Sequence, residues 1–218
     1  MTELLLIRHG ETAWNALRKL QGHIDIPLNA EGTRQAKALA AALQFEKLDA
    51  LFSSDLLRAS QTAGEIARLQ GLTPRLDAEL RERCFGGFEG QLYSELPSLY
   101  PEEYTEWRNR DPDFRFPSSP ENKQLSGENT RAFQARVMDC IAYYCERYPK
   151  QKIAMVAHGG VLECAYRAAH DLPLNAERSI TIYNASINRF IWQDGHIKLQ
   201  SWGEIEHLKK DSLDEIAA

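Results

Sequence analysis

The amino-acid sequence predicts an α/β fold: a three-layer αβα sandwich with a mostly parallel central sheet and an inserted lid segment. Three observations carry this expectation. Residues 3–7 (ELLLI) and 153–157 (IAMVA) are short, almost wholly apolar runs. Such runs mark strands covered by helices on both faces. Stretches with helical spacing separate them. The segment 90–126 follows neither period and carries five of the nine prolines, so it reads as an insertion.

The elements follow in order. The first apolar run ends in Arg8-His9-Gly10. Asn29 has the chemistry of a helix cap, and Ala36, Leu39, Ala40 and Leu43 behind it keep the i, i+3, i+4, i+7 spacing. A short strand over 50–53 leads to a helix over about 55–70, with a stripe of Ala59, Thr62, Ala63 and Ile66 and a stop at Gly71. The insertion is rich in aromatics, among them Tyr93, Trp107, Phe114 and Phe116, and reads as a lid or binding loop. Its rings suggest a substrate with an apolar or ring-shaped portion. A third helix spans 130–147. The second apolar run then ends in His158-Gly159-Gly160, and a fourth helix follows over 160–169. Residues 187–192 and 196–202 flank Asp194-Gly195, a hairpin signal. One domain over 1–218, with its lid at about 90–126, accounts for the whole chain.

Composition narrows the function. Hydrophobic residues make up 43% and charged residues 26%, a soluble globular balance. A net charge of −5 argues against a general nucleic-acid or membrane-surface binder, so an anionic ligand must be held by a few local cations. No apolar run approaches the roughly 20 residues of a membrane span. The start has an acidic Glu3 and reaches Arg8 after four apolar residues, unlike a secretory or transit peptide, so a cytoplasmic location is expected. Cys84, Cys140, Cys145 and Cys164 lack metal-ligand spacing and read as buried free thiols. No metal and no cofactor are expected. The oligomeric state leaves no mark on the sequence.

Chemistry enters with the two strand ends. Each buried run finishes in a histidine followed by glycine, and ligands of open α/β sheets gather outside the carboxyl ends of the strands. His9 and His158 are therefore expected neighbours. Neutral imidazole, with an unperturbed pKa of about 6.5, is a nucleophile near neutral pH.

The residues around His9 go further. LIRHGETAWN (6–15), QGHIDIPL (21–28), SSDLLRA (53–59), LRE (80–82), GGFEG (86–90) and VAHG (156–159) occur in this order. Together they resemble the signature of the histidine phosphatase superfamily, which includes the cofactor-dependent phosphoglycerate mutases. The resemblance implies attack by His9 on a phosphoryl group and a phosphohistidine intermediate. It places Arg8, Arg58 and Asn15 on the phosphate, with His158 donating to it as an imidazolium. Glu82 takes the position of the proton donor to the leaving alcohol. Gln21 and Gly22 match positions that contact the organic part of the substrate, and Gly159 would let its backbone approach closely. His23, His170, His196 and His207 have no such context and read as structural or surface residues. Trp14 is expected to pack beneath its loop, and Glu11 to cap or pair locally.

The resemblance leaves two enzymes and one non-enzyme. A phosphomonoesterase gives the phosphoryl group of a small phosphorylated metabolite to water, whereas a mutase returns it to a bound acceptor. Mutases of this family place basic residues after the Gly-Gly motif. Here residues 91–125 hold four cations against seven anions, a poor clamp for a bisphosphorylated ligand. Gln21 also stands where mutases carry a small hydroxyl residue. LSGEN (125–129) resembles the Gly-Glu-Ser element of the phosphatase branch, with Asn129 in place of the serine. Hydrolysis is the favoured expectation, phosphoglycerate mutase the alternative. A non-catalytic, phospho-ligand-binding regulatory protein is the third reading, disfavoured because every reactive position is filled.

Overall fold

The computed structural model describes residues 1–118, 127–208 and 214. In chain order the elements are β1 (Thr2–Arg8), α1 (Ala13–Ala16), α2 (Ala30–Leu43), β2 (Ala50–Ser53), α3 (Leu57–Gln70), β3 (Arg75–Leu76), α4 (Leu96–Leu99), α5 (Pro101–Arg108), α6 (Thr130–Arg147), β4 (Lys152–Ala157), α7 (Gly159–Ala169), β5 (Ile187–Gln193) and β6 (His196–Glu204). The strands form one sheet in the order β3-β2-β4-β1-β5-β6. The first four are mutually parallel, and β5 and β6 add an antiparallel hairpin at one edge.

The apolar runs are explained by cover on both faces. Leu4, Leu6 and Met155 point to one side, where Val137 and Ile141 of α6 and Val161 and Leu162 of α7 pack on them. Leu5, Ile7, Ala154 and Val156 point to the other, against Leu39 and Leu43 of α2 and Ala63 and Ile66 of α3. Both faces are dry, so the strands need no alternation. The three layers are those expected.

Local chemistry sets the ends. The Asn29 carboxamide oxygen accepts from Gly32 N at 2.7 Å and opens α2, and Asn129 does the same for α6 through Ala132 N at 2.7 Å. Gly71 closes α3 with a left-handed φ of 67°. This helix starts at Leu57, two residues later than expected. Asp55 does not cap it because its carboxylate forms a two-pronged pair with Arg81, at 2.7 and 2.6 Å. Asp194 (φ 52°) and Gly195 (φ 79°) supply the two positive φ angles of a type I′ hairpin.

Over its described residues, 90–118, the expected lid carries two short helices. Pro97 and Pro101 fall in the first turns of α4 and α5, where a missing N–H costs nothing. Its aromatics form a small core of their own: Phe85, Phe88, Trp107, Phe114 and Phe116 are buried together, with Tyr93, Tyr100 and Tyr104 packed around them. These rings pack on one another, the commoner use of aromatic side chains. The end of the expected lid, residues 119–126, lies outside the described residues. All four cysteines are buried and free. Among the described residues no helix is long and apolar enough to cross a membrane.

The glycines of two helices give a paired test. A Cβ on Gly32, in the first turn of α2, would lie 2.0 Å from the Glu11 carbonyl oxygen, whereas one on Gly64 of α3 would meet nothing within 4 Å. Glycine-to-alanine in an exposed helix gains up to about 1 kcal/mol. Gly64→Ala should therefore raise stability by several tenths of a kcal/mol or more. Gly32→Ala should lower it by about 2 kcal/mol through overpacking. Denaturant unfolding of both variants measures the two signs, and the same sign for both would contradict the packing described.

Candidate active site

The site begins with strand register. β1 and β4 run parallel with Arg8 opposite Ala157, so His9 and His158 leave the sheet side by side. His9 N donates to the Ala157 carbonyl at 3.0 Å. The two imidazoles stand edge to face with centroids 5.2 Å apart. His9 Nδ1 lies 2.7 Å from the Gly10 carbonyl oxygen. A carbonyl only accepts, so Nδ1 carries the proton and the neutral ring presents its lone pair at Nε2. The His9 carbonyl in turn accepts from Ala185 N at 3.1 Å and Asn184 Nδ2 at 3.0 Å.

Arg58 is held by the loop that precedes it in sequence. Its Nη2 donates to the Gly22 carbonyl at 2.7 Å and its Nη1 to that of Ile24 at 3.1 Å. Gly22 has φ 53°, and a Cβ there would fall 2.1 Å from a Glu89 carboxylate oxygen. That buried carboxylate accepts from the backbone N–H groups of His23, Ile24 and Phe85, at 3.0, 3.1 and 2.8 Å. Glu89 thus fixes the loop that fixes Arg58. Arg8 is fully buried and donates to the Ile182 carbonyl at 2.6 Å.

Glu82 lies across the same space. One carboxylate oxygen accepts from Arg83 N at 2.7 Å, the other from Gly160 N at 3.0 Å. A Cβ on Gly160 would stand 2.3 Å from Glu82 Oε1. The second glycine after His158 is therefore the one that makes room for this carboxylate. Gly159, expected to bring its backbone close to the substrate, opens α7 and is buried. Asn15 closes a capping box with Thr12, whose N donates to Asn15 Oδ1 at 3.0 Å, so the amide NH₂ is the end left for a ligand. Gln21 Oε1 accepts from the Thr12 hydroxyl at 3.0 Å. His23, read as structural, donates from Nε2 to the Glu82 carbonyl at 2.8 Å. Trp14 is half-buried with Lys19 over its ring, and Glu11 accepts from Asn29 Nδ2 at 2.8 Å.

A cavity of about 430 Å³ opens over these groups. Of the expected residues, His9, Asn15, Gln21, Gly22, Arg58 and Glu82 form its wall, and Arg8, His158 and Gly159 do not. Four cations that sequence reasoning passed over also line it: Arg18, Lys19, Arg108 and Arg178, with Asp214 paired to Arg178 at 3.4 Å. The bridge between Lys19 and Leu92 ties the Arg18-Lys19 corner to the insertion. The acidic count of residues 91–125 therefore misleads. Glu102 and Glu106 of α5 are exposed and take no part in the wall, whereas Arg108 at the end of that helix does. A second cavity of about 80 Å³ meets the first at Leu20, Glu82 and Phe85, and continues along Arg83, Trp107 and Phe133.

Burial, then the Arg58 and Arg8 charges, hold the His9 pKa well below the usual histidine value. Burial, then Arg58 and His9, do the same to His158. Both rings are neutral at pH 7, so the expected imidazolium at His158 is not what the protein's own groups favour. Neither nitrogen of His158 has a hydrogen-bond partner among the described residues. A buried ring without partners is costly, and an anion beside Arg58 would supply acceptors and draw a proton onto it. Two imidazoles, fixed guanidinium groups and a carboxylate around one cavity suit capture and transfer of a phosphoryl group.

These pKa directions give a stability test. His23 and His207 are also lowered, chiefly by burial. As pH falls through about 6.5 the unfolded chain takes up protons at these rings that the folded chain refuses. Stability should therefore drop between pH 7 and 5, by up to about 1.4 kcal/mol per ring per pH unit inside that window. His158→Gln should flatten the slope. An unchanged slope in denaturant unfolding at pH 7, 6 and 5 would contradict a buried neutral His158.

Comparison with known proteins agrees with this geometry. Residues 4–205 match the model of the histidine phosphatase superfamily, branch 1. The chain is 35% identical to phosphoglycerate mutase-like protein 4 of Arabidopsis thaliana over 95% of its length and 87% of the relative. It is 34% identical to a protein of Yersinia pestis named "Probable phosphoglycerate mutase GpmB", over 99% of both chains. The fold superposes on phosphoserine phosphatase of Entamoeba histolytica, solved with 3-phosphoglyceric acid, with a TM-score of 0.82, 28% identity and coverage of 95% and 100% of the two chains. The protein that builds this histidine-lined pocket belongs to the histidine phosphatase superfamily.

Proposed function

We propose that the protein is a phosphomonoesterase, a histidine acid phosphatase-type hydrolase that passes the phosphoryl group of a small phosphorylated metabolite through His9 to water. The observation that carries this reading is the pair of buried, neutral imidazoles beside Arg58. One has its lone pair directed by tautomer, and the other has two nitrogens without a hydrogen-bond partner among the described residues.

The roles follow from the geometry. His9 Nε2 attacks phosphorus as the P–O bond to the alcohol breaks, and a phosphohistidine forms. Arg58 and the Asn15 amide donate to the equatorial oxygens from the wall. Arg8 and His158 act from the buried side, His158 gaining its proton as the dianion enters. Glu82 gives its proton to the departing alkoxide, then takes one from the water that attacks the phosphohistidine. Gln21 and Gly22 face the organic part. Gly159 is kept as the position where backbone approaches the substrate closely, and Gly160 makes room for Glu82. The smaller cavity adjoining Glu82 gives the departing alcohol a place beside Arg83 and Trp107.

One observation favours the mutase alternative. Arg18, Lys19, Arg108 and Arg178 make the cavity wall cationic, and a wall of that sign suits a ligand with a second anionic group. Hydrolysis remains the better reading because the protein of Entamoeba histolytica on which the fold superposes is named a phosphatase, and phosphoryl return needs a bound acceptor that outcompetes water. With 3-phosphoglycerate, inorganic phosphate should appear faster than the 2-isomer. Mass balance on that reaction decides, and isomer outrunning phosphate makes the protein a mutase.

Two variants test the mechanism. Incubation with a phosphoryl donor should leave an acid-labile, base-stable phosphate on His9 that His9→Ala abolishes. A label surviving in His9→Ala would assign the nucleophile elsewhere. Glu82→Gln should slow alkyl phosphates by about 10²–10⁴ and p-nitrophenyl phosphate much less, because a good leaving group needs little protonation. Equal losses on both esters would remove Glu82 from the proton-transfer step. A wild-type protein that turns over no phosphate ester would leave the non-catalytic reading.

A further inference from the structure

His9 and His158 are placed by strands of the sheet, but Glu82 is not. The segment 79–84 that carries it belongs to no strand and follows a single 3₁₀ turn at Ala78–Leu80. Its backbone carbonyls run from an exposed one at Glu79 to the buried residue Glu82, and no sheet neighbour donates to them. One side chain of α6 does. Arg136 Nη1 donates to the carbonyls of Glu79 and Arg81, at 2.7 and 3.1 Å, and Nη2 reaches that of Glu82 at 3.3 Å.

The guanidinium is itself oriented. Its Nε and Nη2 donate to the two carboxylate oxygens of Glu128, at 2.9 and 2.7 Å. Glu128 then grips the far end of the segment. Its carboxylate accepts from Cys84 N at 3.0 Å, and its own N donates to the Cys84 carbonyl at 2.9 Å. The Arg83 peptide, whose N–H bonds the Glu82 carboxylate, lies between these two anchors. Gly127 permits the approach, because a Cβ there would stand 2.4 Å from Phe116 Cβ. The Gly127-Glu128 pair, noted in the sequence only for its resemblance, thus has a physical task.

We propose that Arg136 and Glu128 are positioning residues for the Glu82 proton donor, setting its place relative to the substrate oxygen without touching the substrate. This rests on the phosphatase reading, in which Glu82 gives up a proton. Removing the clamp takes the Arg136 donor from the Glu79 and Arg81 carbonyls, leaves that of Glu82 to His23 alone, and leaves a half-buried carboxylate without its cation. The segment relaxes and the carboxyl group shifts, while the strand-borne histidines keep their places. A shift of about 1 Å in a reacting group costs on the order of 10² in rate. The cost falls on the step that needs a proton. Charge matters as well as shape, since the bidentate pair uses the planar fork that lysine lacks.

The experiment compares Arg136→Met, Arg136→Lys and Glu128→Gln with wild type on esters of graded leaving-group pKa, from alkyl phosphate to p-nitrophenyl phosphate. Arg136→Met should lose about 10² in kcat/KM on alkyl phosphate and less than about tenfold on p-nitrophenyl phosphate. Arg136→Lys should recover part of that loss. Glu128→Gln keeps the shape of the acceptor, should show the same pattern more weakly, and serves if Arg136→Met does not fold. In a Glu82→Gln background Arg136→Met should add little, because the proton it positions is gone. Equal losses on all esters, or full additivity with Glu82→Gln, would overturn the proposal and leave Arg136 a general stability residue. Hydrogen exchange reads the clamp independently of turnover: amides of 80–84 should exchange faster in Arg136→Met while β1 and β4 stay protected. Unchanged exchange in 80–84 also overturns it. Absence of phosphate on wild-type His9 would instead sink the phosphatase reading, with the exchange result still deciding whether Arg136 holds the segment.

Discussion

The parallel pairing of β1 with β4 is the constraint on which the rest of the molecule depends. Its register sets Arg8 against Ala157 and sends two histidines off the same end of the sheet. Because the pairing is central and covered on both faces, neither strand can slip without turning its apolar set against the wrong helices. The distance between the imidazoles is therefore a property of the sheet, held by the same burial that stabilises the fold. The antiparallel β5 completes the arrangement, because the turn that enters it supplies Asn184 and Ala185 to the His9 carbonyl.

Burial also sets the electrostatics. Two arginines and two histidines sit at the strand ends almost without solvent, and the cations push the imidazoles toward neutrality. An array of like charges in a dry place opposes folding and welcomes an anion. The protein holds the arginines with carbonyl acceptors, Gly22 and Ile24 for Arg58 and Ile182 for Arg8, so they keep their charge and their direction. Strain at the site and affinity for a phosphoryl group are two views of one arrangement.

Much of this was legible in the sequence, for identifiable reasons. The strands of the central sheet, the cap at Asn29 and the hairpin turn at Asp194-Gly195 rest on local chemistry, and local chemistry is what a sequence displays. α4 and α5 were hidden because Pro97 and Pro101 read as breakers, although in a first turn they start helices. β3 is two exposed residues and has no pattern to find. In the site, His9, Arg58 and Glu82 stood in ordered motifs. Arg178 and Arg136 had no motif, since their partners are fixed only once distant segments meet. The charge count of the insertion failed for a related reason. A sum over residues ignores placement, and none of the acidic residues of α5 lines the cavity that Arg108 does. The room that Gly160 leaves for Glu82 depends on a helix phase that sequence spacing does not give.

The Gly10 carbonyl, described above for the tautomer it selects, has a second consequence in the proposed cycle. When Nε2 takes the phosphoryl group, the proton on Nδ1 stays where the carbonyl holds it, and the ring becomes a phosphorylated imidazolium. Breaking the P–N bond then expels a neutral imidazole instead of an imidazolide anion, a far better leaving group. A single backbone acceptor thus makes His9 easy to phosphorylate and easy to release. It does so without moving the Nδ1 proton in either half of the reaction.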